Sequence, residues 1–145
     1  MSQDFRSLTL LASALTVATA LLVSSAGAFV IKKGALVLRS GKANDAASYK
    51  NESTDSNDKL QGVSALCSNG NSTKAKSKDL IRTDKSKSGL FQGDYGATQV
   101  STVVSAGGSV ASKPLKGNPN HCEISGLTVE KLKGVWSMCT AAGGC

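Results

Sequence analysis

Residues 121–145, HCEISGLTVEKLKGVWSMCTAAGGC, hold three of the four cysteines in the 145-residue chain and decide the predicted fold. Polar and apolar side chains alternate over residues 121–127, which predicts a β-strand. Residues 129–139 carry apolar side chains at helical spacing after Thr128, a residue type that favours the first position of a helix. The sequence therefore predicts a strand that is followed by one C-terminal helix.

These two elements also predict how the cysteines pair. A strand that rises about 17 Å from Cys122, followed by a helix that descends about 15 Å to Cys139, would bring the two residues together. We therefore expect the disulfide Cys122–Cys139, which leaves Cys67 to pair with Cys145. An alternative stays open, in which Cys67 pairs with Cys122 and a small terminal ring joins Cys139 to Cys145.

The first 28 residues have the pattern of a secretory signal peptide. An apolar run over residues 8–23 follows a short polar segment, and Ala26-Gly27-Ala28 supplies the small residues of a cleavage site. Cleavage after Ala28 would leave a domain over residues 29–145 that contains every cysteine. An even number of cysteines in an exported chain is typical of disulfides that form in an oxidising compartment. We expect a secreted, periplasmic or cell-surface protein.

The expected mature domain is poor in large apolar side chains. Leu, Ile, Val and Phe make up 23 of its 117 residues, close to the fraction below which chains tend toward disorder. Because so small a core usually needs covalent support, we predict an α+β, β-rich domain that disulfides stabilise. Residues 40–58 and 68–88 are predicted to be long, flexible polar loops. Each loop contains one N-glycosylation acceptor sequence, which begins at Asn51 in the first loop and at Asn71 in the second.

Three other segments have recognisable patterns. Residues 29–38 predict a strand with a bulge or two short strands, and residues 60–67 predict a short helix or turn. Residues 97–112 give the strongest β signal, with Gly107-Gly108 suited to a hairpin turn. Since residues 96–110 carry no charge, the hairpin edge is a candidate for self-assembly. The alternative is the central hairpin of an ordinary small sheet.

The net charge of +7 is concentrated in one of the predicted loops. A cluster of this kind attracts anionic polymers or surfaces, although plain solvation of the loop is the alternative interpretation. The segment lacks aromatic residues that stack on bases, so no specific nucleic-acid recognition is predicted. The candidate anion-binding residues are Lys74, Lys76, Lys78, Arg82, Lys85 and Lys87.

Catalytic motifs are weak in this chain. His121 and Glu123 lie two positions apart on one face of the predicted strand, which makes them candidates for an acid–base pair. An ordinary solvent-facing pair is the alternative. The sequence has neither a Gly-x-Ser-x-Gly motif nor a phosphate-binding loop, and the cysteine spacings differ from those of zinc sites. We therefore predict no metal and no cofactor.

The leading hypothesis is an exported, non-enzymatic binding protein whose basic loop contacts anionic partners. A structural, assembly-forming surface protein is the first alternative. A small secreted enzyme or toxin that uses His121 and Glu123 is the second.

Overall fold

The computed structural model describes residues 29–83 and 91–145. The predicted signal peptide and its cleavage site lie outside these ranges, as do Lys85 and Lys87. The described chain is mostly antiparallel β-sheet with a few short helices. Its strands are β1 (Ala35–Ser40), β2 (Ser53–Thr54), β3 (Leu60–Gln61), β4 (Val63–Asn71), β5 (Asp94–Gln99), β6 (Ser109–Ser112), β7 (His121–Ser125) and β8 (Ser137–Thr140). Its α-helices are α1 (Ser77–Thr83), α2 (Val100–Ser105) and α3 (Val129–Gly134), and 3₁₀ helices cover Ala46–Tyr49 and Lys74–Lys76.

Six strands form one sheet in the order β6-β7-β4-β1-β5-β8, and each neighbouring pair is antiparallel. β1 lies inside the sheet, where Leu38 pairs with Leu66 of β4 on one side and with Ala97 of β5 on the other. β2 and β3 pair separately as a two-stranded sheet. The prediction of a small β-rich domain that contains disulfides is therefore confirmed.

Buried apolar side chains form two clusters on opposite faces of the six-stranded sheet. Alternation along the strands separates them, because Cys67 faces the first cluster and its neighbour Leu66 faces the second. The first, here called the large cluster, includes Val103 of α2, Leu132 of α3 and Tyr49 of a 3₁₀ helix. The second, here called the small cluster, consists of Leu36, Leu38, Leu66, Leu80, Phe91, Tyr95, Ala97 and Cys139.

The prediction of a hairpin over residues 97–112 was wrong. Its first half is divided between β5, inside the sheet, and the helix α2, which begins at Val100. β-branched residues favour strands, but Val100 and Val103 lie three positions apart and both bury against the large cluster. The Gly107-Gly108 pair ends this helix, since the Gly108 amide donates to the Val103 carbonyl at 3.0 Å.

The two predicted long loops are also shorter than expected. Within residues 40–58, Asp45 caps a 3₁₀ helix by accepting a hydrogen bond from the Ala47 amide at 3.0 Å. Residues 68–71 extend β4, and residues 74–83 are helical, because Leu80 buries in the small cluster. The remainder of the second predicted loop, residues 84–88, lies outside the described residues.

The expected Cys122–Cys139 disulfide was wrong, and the alternative pairing is present. Cys67 bonds to Cys122, and Cys139 bonds to Cys145. The predicted C-terminal helix ends at Gly134, and the chain then forms β8, which pairs with β5 rather than returning to β7. β7 and β8 stand four strand spacings apart in the sheet, a separation of about 19 Å that no disulfide can bridge.

Candidate functional site

Four of the six predicted anion-binding residues lie on one exposed segment, which we call the basic segment. It consists of the 3₁₀ helix Lys74–Lys76 followed directly by α1 (Ser77–Thr83). Lys74, Lys76, Lys78 and Arg82 are all exposed on it. The remaining two predicted residues lie outside the described parts of the chain, so the structure gives no position for them.

Buried side chains hold the basic segment against the sheet. Leu80 is 8% exposed in the small cluster, and Ile81 packs beside it. The Ser77 side chain is buried, and its hydroxyl oxygen lies 2.6 Å from that of Tyr95. Positions 77, 80 and 81 share one face of a helix, so the basic residues of α1 are directed to the opposite face.

Three adjoining depressions, with volumes of about 580, 350 and 270 Å³, run beside the basic segment. The first and second share Thr73 and Gln99 in their walls. The second and third share Ser72 and Lys76. Because each depression shares wall residues with the next, the three adjoin one another, and together they are here called the binding groove.

The binding groove is cationic and rich in neutral hydrogen-bonding groups. Lys74 lies at its first end, where the ammonium donates to the Ser137 hydroxyl, and Ser68 and Asn120 line its other end. Asp79 is the one acidic residue among the described residues of its wall, and no aromatic side chain is among them. Such a surface can offer ammonium, hydroxyl and amide groups to an anionic chain.

Asn71, the second predicted glycosylation acceptor, also belongs to this groove. It is exposed in the wall of the 350 Å³ depression, beside Gly34 and Lys76. Asn51, the first acceptor, is exposed near the end of the Ala46–Tyr49 helix. A glycan on Asn71 would therefore occupy the groove, whereas one on Asn51 would not line it.

The structure gives His121 partners other than Glu123. His121 is only 5% exposed, and its Nδ1 lies 2.6 Å from the Lys113 carbonyl oxygen. Its Nε2 lies 3.1 Å from the hydroxyl oxygen of Ser64, on the neighbouring strand β4. Both ring nitrogens are therefore occupied, and neither is directed to Glu123.

Ser64, which contacts His121, was not among the candidate residues that the sequence predicted. It lies on β4, in a segment for which the sequence predicted a short helix or turn, and it is exposed. The Cys67–Cys122 disulfide, combined with strand alternation, was the signal that could have found it. That bond places β4 beside β7 and turns Ser64 and His121 to the same face of the sheet.

In residues 29–83 and 91–145, no three His, Cys, Asp or Glu side chains lie close enough to bind a metal ion together. No helix in the same ranges has the length and apolar character needed to span a membrane. No known protein family, curated protein or solved structure matches the chain.

Proposed function

We propose that this protein is an exported binding protein that holds a linear anionic polymer in the binding groove. The observation that carries the proposal is the row of three adjoining depressions beside the exposed basic segment. Lys76 lies in the wall that the second and third depressions share, and Lys74 lies in the first. A polymer that follows the groove thus meets two ammonium groups, those of Lys74 and Lys76, and its binding releases condensed counterions.

The composition of the groove favours an acidic polysaccharide over a nucleic acid. Proteins that bind single-stranded nucleic acids stack bases on exposed aromatic side chains, and none lines the described groove. Phe91 and Tyr95, in a separate depression beside Lys78 and Arg82, are buried. Hydroxyl and amide side chains such as Ser72, Thr73 and Gln99 instead match the hydroxyl, carboxylate and sulfate groups of a charged sugar chain.

Two observations support export. All described cysteines are paired, as Cys67–Cys122 and Cys139–Cys145, and such bonds persist in oxidising compartments. The sequence before Phe29 has the pattern of a signal peptide. Mass spectrometry of the protein secreted by its own host would test this part of the proposal, with Phe29 as the expected N-terminal residue.

Salt-dependent retention on immobilised heparin tests the binding proposal. The wild type should bind. Lys74→Gln/Lys76→Gln should make the negative slope of log affinity against log salt shallower by about 1.5, if each lost contact removes about 0.7 to 0.9 as it does on nucleic acids. The matched control is Lys116→Gln/Lys131→Gln, which removes two exposed lysines outside the groove. It should leave the slope nearly unchanged. Equal slopes for the two double variants, or no retention of the wild type, would refute the proposal.

The choice of polymer is tested by competition. Soluble heparin should displace the bound protein at a lower concentration than single-stranded DNA of equal charge does. A stronger effect of DNA would assign the groove to nucleic acid instead.

Self-assembly is a second candidate function, and the edge strand β6 favours it. β6 (Ser109–Ser112) is an uncharged strand at one end of the sheet. At the other end of the sheet, the chain folds back on the last residue of β8, where the Thr140 amide donates to the Gly144 carbonyl. Light scattering over a range of concentrations should show dimers or larger species that Ala111→Lys removes. A monomer at every concentration would eliminate this candidate.

A further inference from the structure

Ser64 and His121 form a contact whose proton positions follow from chemistry. A carbonyl oxygen only accepts hydrogen bonds, so the Lys113 carbonyl, 2.6 Å from Nδ1, requires that nitrogen to carry the proton. In the neutral ring Nε2 is then an acceptor. The Ser64 hydroxyl, 3.1 Å away, therefore donates its hydrogen to Nε2. This is the order of groups in an activated serine: nucleophile, base and a group that orients the base.

The base is held rigidly. The His121 backbone accepts a hydrogen bond from the Lys113 amide at 3.0 Å and donates one to the Asn118 carbonyl at 3.2 Å. The adjacent Cys122 is bonded to Cys67 on the neighbouring strand. Because His121 is also only 5% exposed, its ring has little freedom to turn away from Ser64. Ser64 itself is exposed, so a substrate can reach its hydroxyl.

The backbone of Ser64 is also held in place, by Arg39 of β1. Arg39 Nη1 donates to the Ser64 backbone carbonyl at 3.0 Å, and its side chain is only 13% exposed. Glu52 accepts from the other terminal nitrogen at 2.8 Å and fixes the guanidinium in this position. These bonds hold the β4 backbone at Ser64 in place, while the guanidinium itself lies over Tyr49, on the sheet face opposite the Ser64 hydroxyl.

The geometry points to Ser64 as the nucleophile of an acyl-transfer site that hydrolyses carboxylic esters, with His121 as its general base. Ser64 Oγ bonds to the ester carbonyl carbon, and its proton passes to His121 Nε2. The carbon–oxygen bond to the alcohol then breaks, and His121 returns the proton to the departing alcohol. Water attacks the acyl-serine in the same way, releasing the carboxylic acid and restoring Ser64. This inference goes beyond polymer binding and does not depend on it.

Covalent labelling with a fluorophosphonate probe tests the inference on the folded, oxidised protein. Ser64 Oγ should bond to phosphorus as fluoride leaves, which gives a single adduct that peptide mass spectrometry places on Ser64. Ser64→Ala should abolish the adduct. Ser109→Ala, the matched control, removes another exposed strand serine and should leave labelling intact. No adduct on the wild type, or an undiminished adduct on Ser64→Ala, would overturn the assignment.

The role of the base needs a separate measurement. Wild type should hydrolyse p-nitrophenyl acetate, and His121→Gln should lower the rate at least about 100-fold, the usual contribution of a general base. Near-ultraviolet circular dichroism and disulfide mapping of both variants would report whether the fold is retained. If His121→Gln disturbs the fold, Ser64→Ala decides the question alone, because its exposed side chain carries no core packing. Hydrolysis that survives in Ser64→Ala would refute the inference.

Discussion

The large and small clusters lie on opposite faces of one sheet and differ in what they support. Within the described chain the large cluster contains fifteen buried residues and the small cluster contains eight. Two α-helices, a 3₁₀ helix and the β2–β3 pair contribute to the large one, while α1 is the helix that packs on the small one. The helix that carries basic residues is therefore attached by the weaker of the two cores. The larger core and the basic residues of α1 thus lie on opposite faces of the sheet.

Removing each disulfide in turn should give the largest difference in stability between the two clusters. Cys67–Cys122 joins residues 55 positions apart in the large cluster, and Cys139–Cys145 joins residues six apart at the edge of the small one. Loop-closure entropy predicts that replacing the first pair with alanine lowers the free energy of unfolding by about 4 kcal/mol, and the second by about 2 kcal/mol. Urea titrations of the two double variants measure both values. Equal losses would show that loop length in the unfolded chain does not set the two contributions.

Matched leucines provide the next test. Leu132 is 0% exposed in the large cluster, and Leu80 is 8% exposed in the small one. Leu132→Ala should cost about 3 kcal/mol of global stability, whereas Leu80→Ala should cost about 2 kcal/mol or less. The second loss should be local, so amide hydrogen exchange should rise mainly in α1 and heparin retention should fall. Uniformly faster exchange in Leu80→Ala would contradict the division between clusters.

Sequence patterns predicted local features better than long-range ones. The strand at residues 121–127 is confirmed by β7, and the β-rich, disulfide-containing character followed from counting apolar residues and cysteines. The sequence did not predict α2 because its valines favour a strand. Their burial against the large cluster favours the helix instead, and a local pattern does not show that burial. The disulfide prediction failed because it depended on where β8 pairs, and that is decided by β5, about 40 residues earlier.

The candidate site shows the same limit. The exposed lysines of the basic segment were found from charge alone, because a charged cluster stays in solvent wherever it lies. The groove walls come from segments far apart in sequence, such as Ser72, Gln99 and Ser137, so no single motif records them. Ser64 and His121 are likewise 57 positions apart and meet only through sheet pairing.

A substitution at Tyr49 tests how much buried hydrogen bonds contribute to the stability of the large cluster. Its hydroxyl accepts from Trp136 Nε1 at 2.9 Å and donates to the Ala43 carbonyl. Tyr49→Phe leaves both partners buried without their bond, so we expect a loss of about 2 kcal/mol at neutral pH. Thermal and urea unfolding of the variant measure this loss. A change below the error of these measurements would show that water replaces the hydroxyl.

The same residue predicts a pH dependence with a definite sign. Burial raises the pKa of Tyr49 above its usual value of 10.0, although the nearby Arg39 guanidinium opposes the shift. The unfolded chain therefore loses this proton first as the pH rises past 10, which favours unfolding. Wild-type stability should fall over that range more steeply than the stability of Tyr49→Phe. Parallel curves for the two proteins would assign the alkaline loss to other groups.

Lys76 should show the smallest effect on stability and a clear effect on binding. It is exposed, and it lies in the wall that two depressions of the groove share. Lys76→Gln should change the free energy of unfolding by less than about 0.5 kcal/mol, as surface substitutions usually do. The same change should reduce the salt slope of heparin binding by about 0.8. Lys116→Gln is the control, with no change expected in either quantity. Since the Lys76 substitution leaves both clusters intact, a drop in retention at unchanged stability would separate binding from folding. A loss of stability equal to that of Leu80→Ala would instead mean that the basic segment helps to hold the small cluster together.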